Sequence, residues 1–273
     1  MIVDLLDRFY EAGGRAIDLA NSYSDGASQR AVGRWLRARR RRDDVVLFAK
    51  GCHPPRTDPR LVPEEVEIAL RSLGADRLDV FILHRDDLGL PVDAWAEPLA
   101  EQLRRGTVER VGVSNWTAER FRALRELLSG DQGDRLVVLS NHFSLAEMGE
   151  PPWPGCLAID AVGARSLADS GITVLAWSSL AHGYLTDRGA TDPAIEQSWK
   201  TPENERRRER AASLAAELDT STATIAVAYV LAHDGIRPVV GTRSAEHLAE
   251  VLAGETIDLT PDQLAHLESG TPT

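Results

Sequence analysis

Val45-Val46-Leu47-Phe48-Ala49-Lys50-Gly51 is an apolar run that ends on a cation. It has no polar alternation, which is how a strand buried on both faces reads, and parallel strands are buried in that way. The pattern recurs on either side, at residues 15–20 and 78–84. Between these runs the apolar spacing changes to that of helices. Val32, Trp35 and Leu36 fall on one face, and behind Pro63 so do Val66, Ala69, Leu70 and Leu73.

Outward from this centre the alternation continues. Ile2, Leu5, Leu6 and Phe9 predict an opening helix closed by Gly13-Gly14. Downstream, strands are expected at 110–115, 136–142, 173–179 and 238–242. Helices are expected near 93–104, 158–170, 206–218, 224–233, 246–252 and 261–267. Thr117 reads as the N-cap of a further helix with Phe121, Leu124 and Leu128 inward. Residues 180–205, polar and carrying Gly, Pro and Trp, read as a long loop over the strand ends. Seven strands alternating with helices predict an α/β protein of the (β/α)₈ TIM-barrel class, one strand short of eight. The chain opens directly in a helix, so the first strand is the absent one. Either the start is altered or the barrel lacks that strand. Residues 1–273 are expected to form a single barrel domain, a usual length for one.

The formal net charge of −11 argues against a general nucleic-acid or anionic-membrane surface. Arg37, Arg39, Arg40, Arg41 and Arg42 form one basic run, read as a helix C-terminus complementing its dipole. Two cysteines, Cys52 and Cys156, make neither a disulfide framework nor a metal site; Cys52 reads as a buried thiol or as a neighbour of Lys50. No stretch approaches 18 apolar residues, and no signal-peptide pattern opens the chain. A cytoplasmic protein is expected, monomeric or weakly homo-oligomeric.

Four residues sit where these runs give way to loop: Asp18, Tyr23, Lys50 and His84. Barrel active sites lie at such strand ends. Together they supply a phenol, a cation to acidify it, a carboxylate to hold the cation and an imidazole to orient a carbonyl. That set suits reduction of an aldehyde or ketone. The phenol gives its proton to the oxygen, and a neighbouring ammonium favours the phenolate left behind. Taken singly, Asp18 reads as an internal ion pair, Tyr23 as a turn residue and His84 as a core histidine; Lys50 on a buried strand is the hardest to place without a partner.

Placed on strand ends, these residues resemble the aldo-keto reductase family. Ala16-Ile17-Asp18-Leu19-Ala20-Asn21-Ser22-Tyr23 is similar to its strand-2 signature, and Lys50 and His84 follow their strands as in family members. So do Gly112-Val113-Ser114-Asn115, Ala176-Trp177-Ser178-Ser179-Leu180 and Val240-Gly241-Thr242-Arg243-Ser244 through Glu250. The resemblance implies hydride from NADPH and a small-molecule carbonyl substrate. It implies Ser114, Asn115 and His142 on the nicotinamide amide, His142 standing where many relatives have Gln, and Trp177 stacked on the ring. Ser178, Leu180 and Gly183 would line the pyrophosphate path. Gly241, Thr242 and Arg243 would begin the helix after the last strand, Arg243 and His247 would meet the 2′-phosphate, and Glu250 the adenine amino group. The alternative is a barrel that binds the nucleotide without catalysis. The short loop at 85–91, with Trp153 and Trp199, implies an open pocket for varied small aldehydes or ketones.

Overall fold

The computed structural model describes residues 2–128, 130–190 and 192–270. Contacts divide the chain into two compact units, residues 1–140 and 141–273.

The first unit opens with helix α1 (Ile2–Glu11) and continues through β1 (Ala16–Ala20), α2 (Ala27–Arg39), β2 (Val46–Gly51), α3 (Val62–Leu73) and β3 (Leu78–Leu83). It closes with α4 (Asp93–Arg105), β4 (Val108–Ser114), α5 (Ala118–Leu127), a short α6 (Asp131–Asp134) and β5 (Leu136–Ser140). The five strands pair parallel in chain order. They sit where the unalternating runs predict, because each buries side chains on both faces; in β3, Leu78 and Val80 through Leu83 are all buried. Helices close the layer with the faces their spacing marks. Val66, Ala69, Leu70 and Leu73 of α3 are buried, as are Phe121 and Leu124 of α5, whose N-cap Thr117 accepts from the Arg120 N–H. Trp95 and Trp116 pack edge to face inside the unit, 6.2 Å between centroids and neither exposed.

α1 forms where its spacing predicts. It is strongly amphipathic by sequence, yet none of its residues is fully buried, and Ile2 and Val3 are exposed.

The second unit holds α7 (Ala161–Ala168), β6 (Thr173–Ala176), a short α8 (Pro193–Glu196), α9 (Pro202–Glu217) and α10 (Thr222–Leu231). After these come β7 (Ile236–Pro238), α11 (Ala245–Ala253) and α12 (Pro261–Ser269). β6 and β7 pair parallel. Among the described residues the strands number seven. The last one differs from the reading at 238–242. Pro238 has no N–H for a ladder, and although the Val239 N–H still reaches the Ala176 carbonyl, the chain beyond is irregular. Gly241, Thr242 and Arg243 therefore do not begin the next helix. Ser244 caps α11, its hydroxyl accepting from the His247 N–H, while Thr242 Oγ1 takes the Ser244 N–H at 3.0 Å. No single helix among the described residues is long and apolar enough to cross a membrane.

Candidate active site

Strand register decides which side chains of the first unit can meet. β1 pairs with β2 so that Asp18 lies opposite Phe48 and Ala20 opposite Lys50; Lys50 in turn lies opposite Ile82 of β3. Side chains alternate along a strand, so Asp18, Lys50 and, two residues past Ile82, His84 all face the same way. Gly51 and Asn21 face the other.

Lys50 is 2% exposed and its ammonium donates to Asp18 in a short ion pair. The Tyr23 hydroxyl lies against both partners, 3.4 Å from Lys50 Nζ and 3.5 Å from Asp18 Oδ2. Tyr23 is 37% exposed as a whole residue. Its hydroxyl is the inward end, set between a buried ammonium and a mostly buried carboxylate. His84 stands edge-on to the Tyr23 ring, 5.7 Å between centroids, with Nδ1 3.5 Å from the Ser22 hydroxyl. The structure thus brings all four residues into one cluster.

The electrostatics differ from the sequence expectation at one point. Lys50 was expected to acidify Tyr23. Burial pushes the phenol above its ordinary value of 10; Lys50 pulls it down, and Asp18 pushes it up again. The ammonium is shared with Asp18, so its pull does not outweigh desolvation. The net direction is upward, and the phenol is held in its acid form. Lys50 is itself raised: burial works against its charge, but Asp18 and Tyr23 more than offset it. His84 is pushed down to about 2 by burial, then by Lys50, Arg85 and His53. It is a neutral imidazole that can donate a hydrogen bond without carrying a charge.

Ser114 and Asn115 follow at the end of β4, both buried. Ser114 Oγ donates to the Ser140 carbonyl at 2.8 Å and accepts from Asn115 Nδ2 at 3.0 Å. The Asn115 amide also reaches the His84 carbonyl, at 3.4 Å, so this pair is tied to the cluster. A hydroxyl has two lone pairs, so Ser114 keeps one for an incoming amide N–H.

In the second unit His142 is 2% exposed, and both its ring nitrogens are engaged. The Trp199 indole, which can only donate, meets Nε2 at 3.1 Å; Nδ1 then carries the proton and meets the Trp177 carbonyl at 3.1 Å. Burial pushes this imidazole down to about 4. Trp177 is half-buried, 5.0 Å from the His142 ring, and its own indole N–H is buried without a partner. Ser178 is half-buried and accepts at its carbonyl from the Ala181 N–H, and Gly183 donates to the Leu180 carbonyl. Gly241 and Arg243 are exposed, Thr242 and His247 half-buried. Glu250 is engaged: Arg188 donates to both of its oxygens, at 2.7 and 3.1 Å, leaving a lone pair on each. The carboxylate expected at the adenine amino group is thus already paired with Arg188.

Sequence reading passed over three residues that the structure sets at the cluster. Ser22 touches His84, and the His53 ring lies 4.7 Å from it. Behind them Glu65 is buried on α3. Its signal was present: a carboxylate on the apolar stripe made by Val62, Val66 and Ala69.

A model of the Aldo/keto reductase family matches residues 2–270. The chain belongs to the aldo/keto reductase family. Among curated relatives it is similar to the norsolorinic acid reductase of Aspergillus flavus, 26% identical over 98% of this chain and 71% of that one. It is equally similar to the versiconal hemiacetal acetate reductase of Aspergillus parasiticus, 26% identical over 97% and 84%. Among solved structures, an aldo-keto reductase from Klebsiella pneumoniae in complex with NADPH matches at TM-score 0.79 and 24% identity, covering 99% of this chain and 84% of that one. The fold is therefore the aldo/keto reductase barrel, and the seven described strands are one fewer than its eight.

Proposed function

We propose that this chain is an NADPH-dependent carbonyl reductase, acting as one catalytic domain on small aldehydes or ketones with Tyr23 as the general acid. The observation that carries this reading is the three-way contact of the Tyr23 hydroxyl with Lys50 and Asp18, beside a neutral His84.

Bound NADPH would supply the hydride to the carbonyl carbon. The chain does the rest. His84 donates a hydrogen bond to the carbonyl oxygen and fixes its direction. Tyr23 gives that oxygen its proton as negative charge builds there, and the Lys50 ammonium, 3.4 Å away, stabilises the phenolate left behind. Asp18 holds Lys50 in place and keeps it charged in a buried setting. General acid catalysis contributes about 10²–10⁴-fold, roughly 3–5 kcal/mol, and positioning supplies much of the remainder.

Each unit carries residues whose chemistry suits a nicotinamide cofactor. In the first unit Ser114 offers a spare lone pair with Asn115 held beside it; in the second, taken by itself, Trp177 presents a half-buried ring whose N–H has no partner. Within the second unit His142 grips Trp177 through its carbonyl, and both its ring nitrogens are already engaged. Ser178, Leu180 and Gly183 are assigned to the pyrophosphate, and Gly241, Thr242, Arg243 and His247 to the 2′-phosphate side. Glu250 is assigned to the adenine amino group, with Arg188 on its other lone pairs.

Oxidation of NADPH in the presence of an activated aldehyde, followed by the loss of reduced-nicotinamide absorbance, tests the reading. Turnover that saturates in both reactants is expected. Quenching of cofactor fluorescence without turnover would instead favour a non-catalytic nucleotide-binding protein.

A further inference from the structure

Glu65 is a buried carboxylate that the mechanism above does not use. It is 3% exposed, on the first turn of α3, and it lies on the outer side of the strands, where Asn21 and Gly51 point. Gly51 has no room for a side chain there: a Cβ would sit 2.8 Å from the Glu65 Cβ and 3.0 Å from its Oε2.

One carboxylate oxygen gathers two strand ends. Oε2 accepts from Asn21 Nδ2 at 2.8 Å, just past β1, and from the Cys52 N–H at 3.2 Å, just past β2. Oε1 accepts from Arg56 Nε at 2.5 Å, which supplies the countercharge. The Asn21 amide also donates to the Glu65 carbonyl at 3.0 Å. Asn21 stands two residues before Tyr23, and Cys52 two residues after Lys50. Cys52 holds a left-handed φ of 59°, a conformation that needs such an anchor in a residue with a Cβ. Two backbone bonds complete the tie: Asn21 N–H to the Lys50 carbonyl at 2.9 Å and His84 N–H to the Gly51 carbonyl at 2.8 Å.

We infer that Glu65 is a positioning residue that sets the distance between the Tyr23 hydroxyl and the Lys50 ammonium, acting through Asn21 and Cys52. This rests on the reductase reading. The hydroxyl–ammonium separation of 3.4 Å is at the long end of a hydrogen bond, so a small slackening uncouples the pair. A misplacement of about 1 Å can lower turnover about 10²-fold.

Glu65→Gln turns an acceptor of three donors into a group that is itself partly a donor. Asn21→Ala removes only the arm to β1 and serves if the first variant does not fold. Each is expected to lower kcat about 10-fold or more with the Kd for NADPH unchanged, and to move the alkaline limb of kcat to higher pH. The phenol absorbance titration, as the difference between protein with Tyr23 and with Tyr23→Phe, reads the same coupling without turnover; in both variants its midpoint should rise. Variants that keep the wild-type kcat, alkaline limb and phenol midpoint, and lose only Tm, would overturn the inference. A wild type with no turnover would sink the reductase reading instead, and the phenol titration would then decide the role of Glu65 alone.

Discussion

At Tyr23 opposed influences act on one proton, and their balance sets the working range of the site. Burial raises the phenol, Lys50 lowers it and Asp18 raises it. The acid form therefore persists through neutral pH. His84, pushed to about 2, stays neutral over the same range. The rate of carbonyl reduction at saturation should be flat from about pH 6 to about pH 10 and fall above, as Tyr23 loses the proton it must donate. A pH profile that falls through pH 7–8 would contradict this. Lys50→Met removes the larger of the two downward influences, Arg85 being the other. It should cut kcat by at least about 10²-fold, the lower end of what an acid catalyst contributes, and shift the phenol titration upward. It also strands Asp18, so Tm should drop. Side-chain identity was legible here: Asp18, Tyr23, Lys50 and His84 could be singled out from their strand ends. The direction of the Tyr23 shift was not, because it depends on how much water reaches the hydroxyl, and on how Lys50 divides itself between two partners.

Elements that bury both faces were legible to within a residue or two, since β1, β2 and β3 read as unbroken apolar runs. Elements decided by a backbone group were not. The apolar Val239-Val240 pair extended the last strand on paper, while Pro238 and the Thr242–Ser244 turn end it in space. α1 has a helical apolar stripe, but periodicity cannot tell whether anything covers it. Gly33 shows a close approach that no pattern marks. It lies inside α2, where glycine is destabilising by about 1 kcal/mol relative to alanine, yet a Cβ there would stand 2.5 Å from the Leu73 carbonyl oxygen at the end of α3. Gly33→Ala should therefore destabilise, by about 1–3 kcal/mol in urea unfolding, through forced separation of α2 and α3. Stabilisation by about 1 kcal/mol, as helix propensity alone would give, would show that the two helices have slack.

For the molecule as a whole, two buried histidines couple folding to pH. In the unfolded chain each binds its proton near 6.5; folded His142 holds out to about 4 and folded His84 to about 2. Below pH 6.5 the unfolded state thus carries more protons, and stability falls as pH falls, by up to about 1.4 kcal/mol per unit and per histidine. The urea midpoint should be level above pH 7 and drop between pH 6.5 and 5, before most carboxylates titrate. His142→Gln, which cannot titrate, should shrink that slope by up to about half. A midpoint independent of pH over this range would mean that neither imidazole resists its proton. Family membership carries the fold and the class of chemistry. The claim on which the mechanism stands is that the Tyr23 hydroxyl is the proton donor. NADPH oxidation with an activated aldehyde, wild type against Tyr23→Phe, tests it most directly. A fall in kcat of at least about 10²-fold with cofactor affinity little changed is the predicted result. Equal rates for the two proteins would contradict it.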